Sequence, residues 1–241
     1  MNISANVPSA PGDPGKRIVR QRDIINRRAL AEKIEELIAE QGMPDARPKV
    51  LALLQHALTE GRAEISKRLL KRPSAGHEMA AAQSFLVDQL VRLIHDIAVH
   101  HQYPVGNPSS GERIAVMAVG SYGRGEMAPH SDVDIEFLTP HKATSWTEQV
   151  VEAMLYWLWD LGLKVGQSSR SIDEMVRMAK ADLSIRTALL EGRYIWGDTG
   201  VYEEAKQRFF HDVVAGTDSV FVAEKLVERD VRHKKMGDSR Y

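Results

Sequence analysis

The 241-residue chain has no cysteine, which excludes disulfides, thiolate metal centres and a cysteine nucleophile. It also lacks an apolar run long enough to span a bilayer, and no signal-peptide core follows Met1, so neither membrane insertion nor export is expected. Net charge is almost absent: 32 Lys and Arg against 33 Asp and Glu leave a formal charge of -1. Such a balance argues against a polybasic nucleic-acid or membrane-surface binder. The expectation is a cytoplasmic protein with neither nucleic acid nor membrane as partner. What is present is a 43% hydrophobic content, enough for a core in one or two domains.

Residues 1–16 carry Pro8, Pro11, Pro14, Gly12 and Gly15 among small polar residues. That composition buries too little apolar surface to offset its ordering entropy, and predicts a disordered arm. Residues 17–104 read as helical. Ile24, Ile25, Leu30, Ile34, Leu37 and Ile38 recur near helical spacing within Ile18 to Gln41, with Gly42 and Pro44 as stop signals. Val50 to Arg72 and Glu78 to His101 repeat the pattern, and a loop from Gly106 to Gly111 ends the region. His95-Asp96 in the third helix matches the dipeptide of HD-type phosphohydrolases, but His77, His100 and His101 supply no evident set of further ligands. A packed or solvated helix histidine is the simpler reading. Adjacent side chains such as His100 and His101 do not converge on one ion.

The chemistry concentrates in Ala115 to Leu138. Ala115 to Val119 is a short apolar strand closed by Gly120. The loop after it carries Gly120, Gly123 and Gly125, whose backbone can turn sharply and bring N–H groups toward a polyanion. From Ser131 the chain alternates, so Asp132, Asp134 and Glu136 share one strand face and Val133, Ile135 and Phe137 the other. Adjacent carboxylates repel unless a cation relieves them. Magnesium does so naturally, because it takes carboxylate and phosphate oxygens together. An edge strand with a solvated acidic face is the bland alternative.

Gly120-Ser121, the spacer and Asp132-Val133-Asp134 resemble the signature of the DNA-polymerase-beta-type nucleotidyltransferase superfamily. The longer run from Gly120 to Ile135 resembles its PII uridylyltransferase/uridylyl-removing branch. The resemblance continues through Trp159 to Gly166, Ser168 to Arg170, Arg186 to Arg193, Arg232-His233 and Gly237 to Tyr241. It implies an α+β fold: a small mixed β-sheet flanked by an N-terminal helical region and a C-terminal helical cap. The transferase domain would occupy 105–182 and the cap 183–241. The branch's HD domain and glutamine-sensing ACT modules would lie beyond Tyr241, so the chain reads as the transferase end of a longer enzyme. An exposed apolar surface on the last helices follows from that reading.

The resemblance further implies Mg2+-dependent transfer of UMP from UTP to a tyrosine of the PII signal protein in nitrogen regulation. Asp132 and Asp134 would be catalytic and hold magnesium, two ions in the reactive complex, with Glu136 a further candidate ligand. Gly120, Ser121 and Arg124 would bind phosphates. Arg170, on an expected third strand from Leu163, is a phosphate ligand or a structural ion pair. That strand has no carboxylate to serve as the superfamily's third. Glu136 lies about 7 Å from Asp134 along the strand, and Gln167 stands where the branch has His. Another acceptor with ATP, such as glutamine synthetase or a small molecule, and a non-catalytic module are the other readings.

After Pro140, Val150, Val151, Met154, Leu155, Leu158 and Leu161 mark a helix. Its Trp157 and Trp159 are expected in the packing. Met175 to Lys180, Leu183 to Trp196, Val201 to Val213 and Ser219 to Met236 all read as helical. In the last of these, Lys225, Arg229, Arg232, Lys234 and Lys235 form exposed ion pairs or, as the minority reading, contact triphosphate.

Overall fold

The structure, a computed structural model, describes residues 13–106 and 109–236. Residues 1–12 of the expected arm and the Gly237 to Tyr241 motif lie outside the described residues. The remainder of the arm is a 3-10 turn, Pro14–Arg17, capped by the Asp13 side chain.

The N-terminal helices are α1 (Gln21–Ile24), α2 (Arg27–Gln41), α3 (Met43–Lys71) and α4 (Gly76–Ile97). Asn26 caps α2 through the Ala29 N–H, and Gly42 at φ +76° separates α2 from α3. α3 begins seven residues before the expected Val50. Pro44 sits in its first turn, where the missing N–H has no intrahelical partner to lose. α4 is buried on nearly every side, with Leu86, Val87, Leu90, Val91 and Ile94 fully enclosed. A π-helical turn, Ala98–Gln102, ends it.

Four strands follow in one mixed sheet of order β3-β2-β1-β4. They are β1 (Ala115–Ala118), β2 (Val133–Thr139), β3 (Val165–Ser171) and β4 (Arg193–Gly197). β1 lies antiparallel to β2 and β4, and β3 runs parallel to β2. That parallel step is made by α6 (Ser145–Asp160), which Thr144 and Thr147 open with a reciprocal capping box. α7 (Ile172–Ala181), α8 (Leu183–Leu190), α9 (Thr199–Phe209) and α10 (Asp218–Lys235) complete the helices.

The helical expectation for Leu183 to Trp196 is corrected at its second half. The helix stops at Leu190, and Arg193–Gly197 becomes an edge strand of the sheet. Gly192 lets the chain pass where a Cβ would stand 2.8 Å from the Met117 sulfur. Tyr194, Ile195 and Trp196 are residue types that suit a pleated surface.

The two sheet faces differ. Val116, Ala118, Val133, Ile135 and Phe137 join the core built with α4 and α6. Ala115, Met117 and Leu138 join a second core with α7 and α9. Period-two alternation puts Asp134 and Glu136 on that second face. α10 meets α8, where the Arg186 guanidinium lies 4.6 Å from the Phe221 ring; none of its residues is buried, and Val220, Val222, Leu226, Val227 and Val231 are exposed, which is the apolar surface expected there.

Candidate active site

β1 delivers the chain to Gly120, whose φ of +61° folds it into α5 (Gly120–Gly123), a single helical turn where a loop was expected. The turn returns toward β2, tied by the bond from the Val119 N–H to the Asp134 carbonyl. The Asp134 carboxylate lies between two glycines. A Cβ on Gly120 would stand 3.3 Å from its Oδ2, and one on Gly166 of β3 would stand 2.3 Å from its Oδ1. Gly120, Gly166 and Asp134 are thus one fitted unit across three elements.

Asp132 is exposed just ahead of β2, and Asp134 is half-buried. Burial and then the Asp132 charge raise the Asp134 carboxyl above its ordinary range. Neither has a cationic partner among the described residues. Two hard oxygen donors, solvent-accessible and uncompensated, are the donor set that magnesium takes, so these residues fit the ion.

Glu136 has different company. In the parallel register Ser168 of β3 faces Glu136. The Ser168 hydroxyl donates to Glu136 Oε2, and Arg170 Nη1 makes an ion pair with the same oxygen. The Glu136 side chain is 3% exposed. Of the two readings of Arg170, the geometry displays the ion pair. The described residues hold no group of three or more His, Cys, Asp or Glu that gathers to a metal. Arg124 flanks the turn, partly exposed, with its guanidinium on Glu126 at 3.0 Å and Glu191 at 2.7 Å. Ser121 is half-exposed on the turn itself.

Residues 108–195 match the family model described as "Nucleotidyltransferase domain". The chain carries a nucleotidyltransferase domain. Over 93% of its length it is also 64% identical to a bifunctional uridylyltransferase/uridylyl-removing enzyme of Novosphingobium aromaticivorans, covering 25% of that protein. The namesakes from Erythrobacter litoralis and Rhodospirillum rubrum are 62% and 51% identical, each over 93% of this chain and 24% of their own length. The chain thus spans about a quarter of these relatives. The resemblance read from the motifs and the expected enzyme class, a nucleotidyltransferase, agree with these matches, and the four-stranded mixed sheet agrees with the expected fold.

Other residues singled out in the sequence fall elsewhere in or around the nucleotidyltransferase domain. His95 Nδ1 lies 3.2 Å from Asp96, which also accepts from Trp196 Nε1 at 2.6 Å; this dipeptide joins α4 to β4. His101 pairs with Glu35 at 2.9 Å. Trp157 is buried and donates to Gln102, whereas Trp159, expected in the packing, is 49% exposed. Its position on the solvent side of α6 accounts for that. In α10, Lys225 pairs with Glu228 and Arg229 with Asp230. No helix among the described residues is long and apolar enough to cross a membrane.

The domain also rests on two residues that sequence reasoning missed. Arg193 of β4 and Asp88 of α4 form a bidentate pair at 2.8 and 3.0 Å, their side chains 5% and 1% exposed. Burial raises the Asp88 carboxyl and the Arg193 charge pulls it back. The signal was a lone carboxylate between Leu86-Val87 and Leu90-Val91 in an otherwise apolar helix, since such a charge survives burial only when paired.

Proposed function

We propose that this domain transfers UMP from UTP to a tyrosine of the signal protein PII, releasing pyrophosphate, in the control of nitrogen assimilation. The observation that carries the reading is the uncompensated pair Asp132 and Asp134, with the Asp134 carboxylate seated between Gly120 of the turn and Gly166 of the neighbouring strand. Asp132 and Asp134 would hold magnesium, which when bound polarises the phosphoryl oxygens and stabilises the attacking and leaving oxygens. Gly120 and Ser121 would present the turn to the outgoing phosphates, and Arg124, paired with Glu126 and Glu191, would have to exchange those carboxylates for phosphate to bind it. A tyrosine hydroxyl has an ordinary pKa near 10, so its attack on the α-phosphorus needs the proton drawn off as the bond forms. Asp132 is exposed to solvent. Uridylyl transfer follows the names of the relatives. PII, UTP and magnesium follow the motif's resemblance.

The test is incorporation of labelled nucleotide from UTP or from ATP into purified PII with Mg2+, comparing this chain with Asp132→Asn/Asp134→Asn. UTP-dependent labelling that falls ~100-fold or more in the double variant is expected, as for loss of charge stabilisation at a reacting phosphate. Labelling from ATP alone would move the reading to an adenylyl donor. No labelling from a folded chain would overturn it.

A further inference from the structure

A four-residue helix does not hold itself in water, because a single turn fixes many dihedral angles for few hydrogen bonds. The turn α5 therefore needs an external hold. We infer that Arg193, oriented by Asp88, is a positioning residue that fixes the Gly120–Gly123 turn for its phosphate ligand. The inference deepens the transferase reading and rests on it.

The Arg193 guanidinium divides its donors between two tasks. Nη1 and Nη2 face the Asp88 carboxylate at 2.8 and 3.0 Å. Nε and Nη2 donate to the carbonyls of Gly123 and Tyr122, both at 3.2 Å. These two carbonyls lie at the end of α5, where backbone donors run out; the Tyr122 carbonyl also accepts from the Gly125 N–H at 3.1 Å. The fully buried Tyr122 ring lies 5.5 Å from the same guanidinium carbon, and burial followed by the Asp88 charge raises its phenol well above the ordinary value.

The turn is fitted to this clamp. A Cβ on Gly123 would stand 2.3 Å from the Glu191 carbonyl and 2.9 Å from that of Ala118. Further along, the Met127 N–H donates to Ser84 of α4, one turn before Asp88. A pair serving fold stability alone gains little from being ionic, since apolar residues of similar volume often replace a buried ion pair at no cost. The planar fork of an arginine is what reaches one carboxylate and two carbonyls at once, and lysine has no such geometry.

Two variants separate positioning from bulk stability. Asp88→Leu/Arg193→Met fills the space without charge, and Arg193→Lys keeps a cation beside Asp88 but loses the fork. For each, three quantities are read: the melting temperature, amide hydrogen exchange at Ser121 to Gly125, and the dissociation constant for UTP with Mg2+ by calorimetry. In either variant that melts within a few degrees of the parent, exchange at the turn should quicken ~10-fold or more while amides in α6 keep their protection. UTP should then bind ~10- to 100-fold more weakly, the scale of an ångström-level misplacement. Parent-like exchange at the turn in a folded variant overturns the inference, as does weakening that only tracks the melting temperature. If the parent chain itself binds no UTP, the transferase reading falls, and the exchange measurement still decides whether Arg193 holds the turn.

Discussion

Two pairs of charged groups flank the same four-residue turn, and they are treated in opposite ways. Behind it, Asp88 and Arg193 are almost wholly buried and satisfy each other at 2.8 and 3.0 Å. In front of it, Asp132 and Asp134 share a sign, remain accessible, and have no counter-charge among the described residues. A fold can leave charge unbalanced only where water or a ligand balances it, and can bury charge only where the partner is built in. The rear pair belongs to the scaffold, and the front pair is the one proposed to take a cation. Glu136 is intermediate, a carboxylate on the front face that the scaffold has neutralised with Arg170 and Ser168.

Removing one rear partner gives the largest expected loss of stability. Asp88→Ala leaves Arg193 charged and buried, and should cost about 3–5 kcal/mol in urea unfolding, whereas Asp132→Ala should stay within about 0.5 kcal/mol of the parent. Equal losses from the two substitutions would erase the contrast. Next in size is Arg170→Gln, which strands the Glu136 carboxylate. A cost of about 1–3 kcal/mol is expected, on the scale of a lost charge-assisted hydrogen bond. A neutral result in the same unfolding experiment would return Glu136 to the open, front-face group.

Gly166→Ala sharpens the front side of the comparison without touching the rear. The new methyl would stand 2.3 Å from Asp134 Oδ1, and a flexible carboxylate can move aside, so stability should change by less than about 1 kcal/mol. The displaced ligand should weaken magnesium by ~10-fold or more in a calorimetric titration. Unchanged magnesium affinity would mean that Asp134 does not need its seat.

The smallest effect belongs to a carboxylate that is paired but wet. His211 and then Arg208 hold Asp212 down at about 2. A depressed carboxyl contributes stability that is present above its unfolded value and is lost as pH falls through about 2. Asp212→Asn should therefore lower the melting temperature slightly at neutral pH, and the difference should vanish below about pH 2. A persistent difference in strong acid would point to packing instead of charge.

Much of the front side was legible in the sequence. The apolar run before Gly120, the glycines, and the alternation from Asp132 to Phe137 all obey local rules of period and backbone freedom. The third strand's place beside the acidic face was legible as a condition, and the parallel register of β2 with β3 meets it. The start of α3 was misplaced because Pro44 reads as a stop wherever its position in the first turn is unknown. β4 was missed because Arg186 to Trp196 is apolar enough to continue α8. What ends the helix is the Gly192 passage against Met117 and the free edge of β1 that Arg193–Gly197 fills.

The sequence by itself determined the strand, turn and acidic strand, because each depends on neighbours a few residues away. Only the tertiary structure decided which charges are spent on the scaffold. Glu136 meets Arg170 across 34 residues and Asp88 meets Arg193 across 105, separations that no local period encodes. Whether a carboxylate is neutralised or left open is set by what packs within a few ångströms of it, and that distance exists only once the chain has folded.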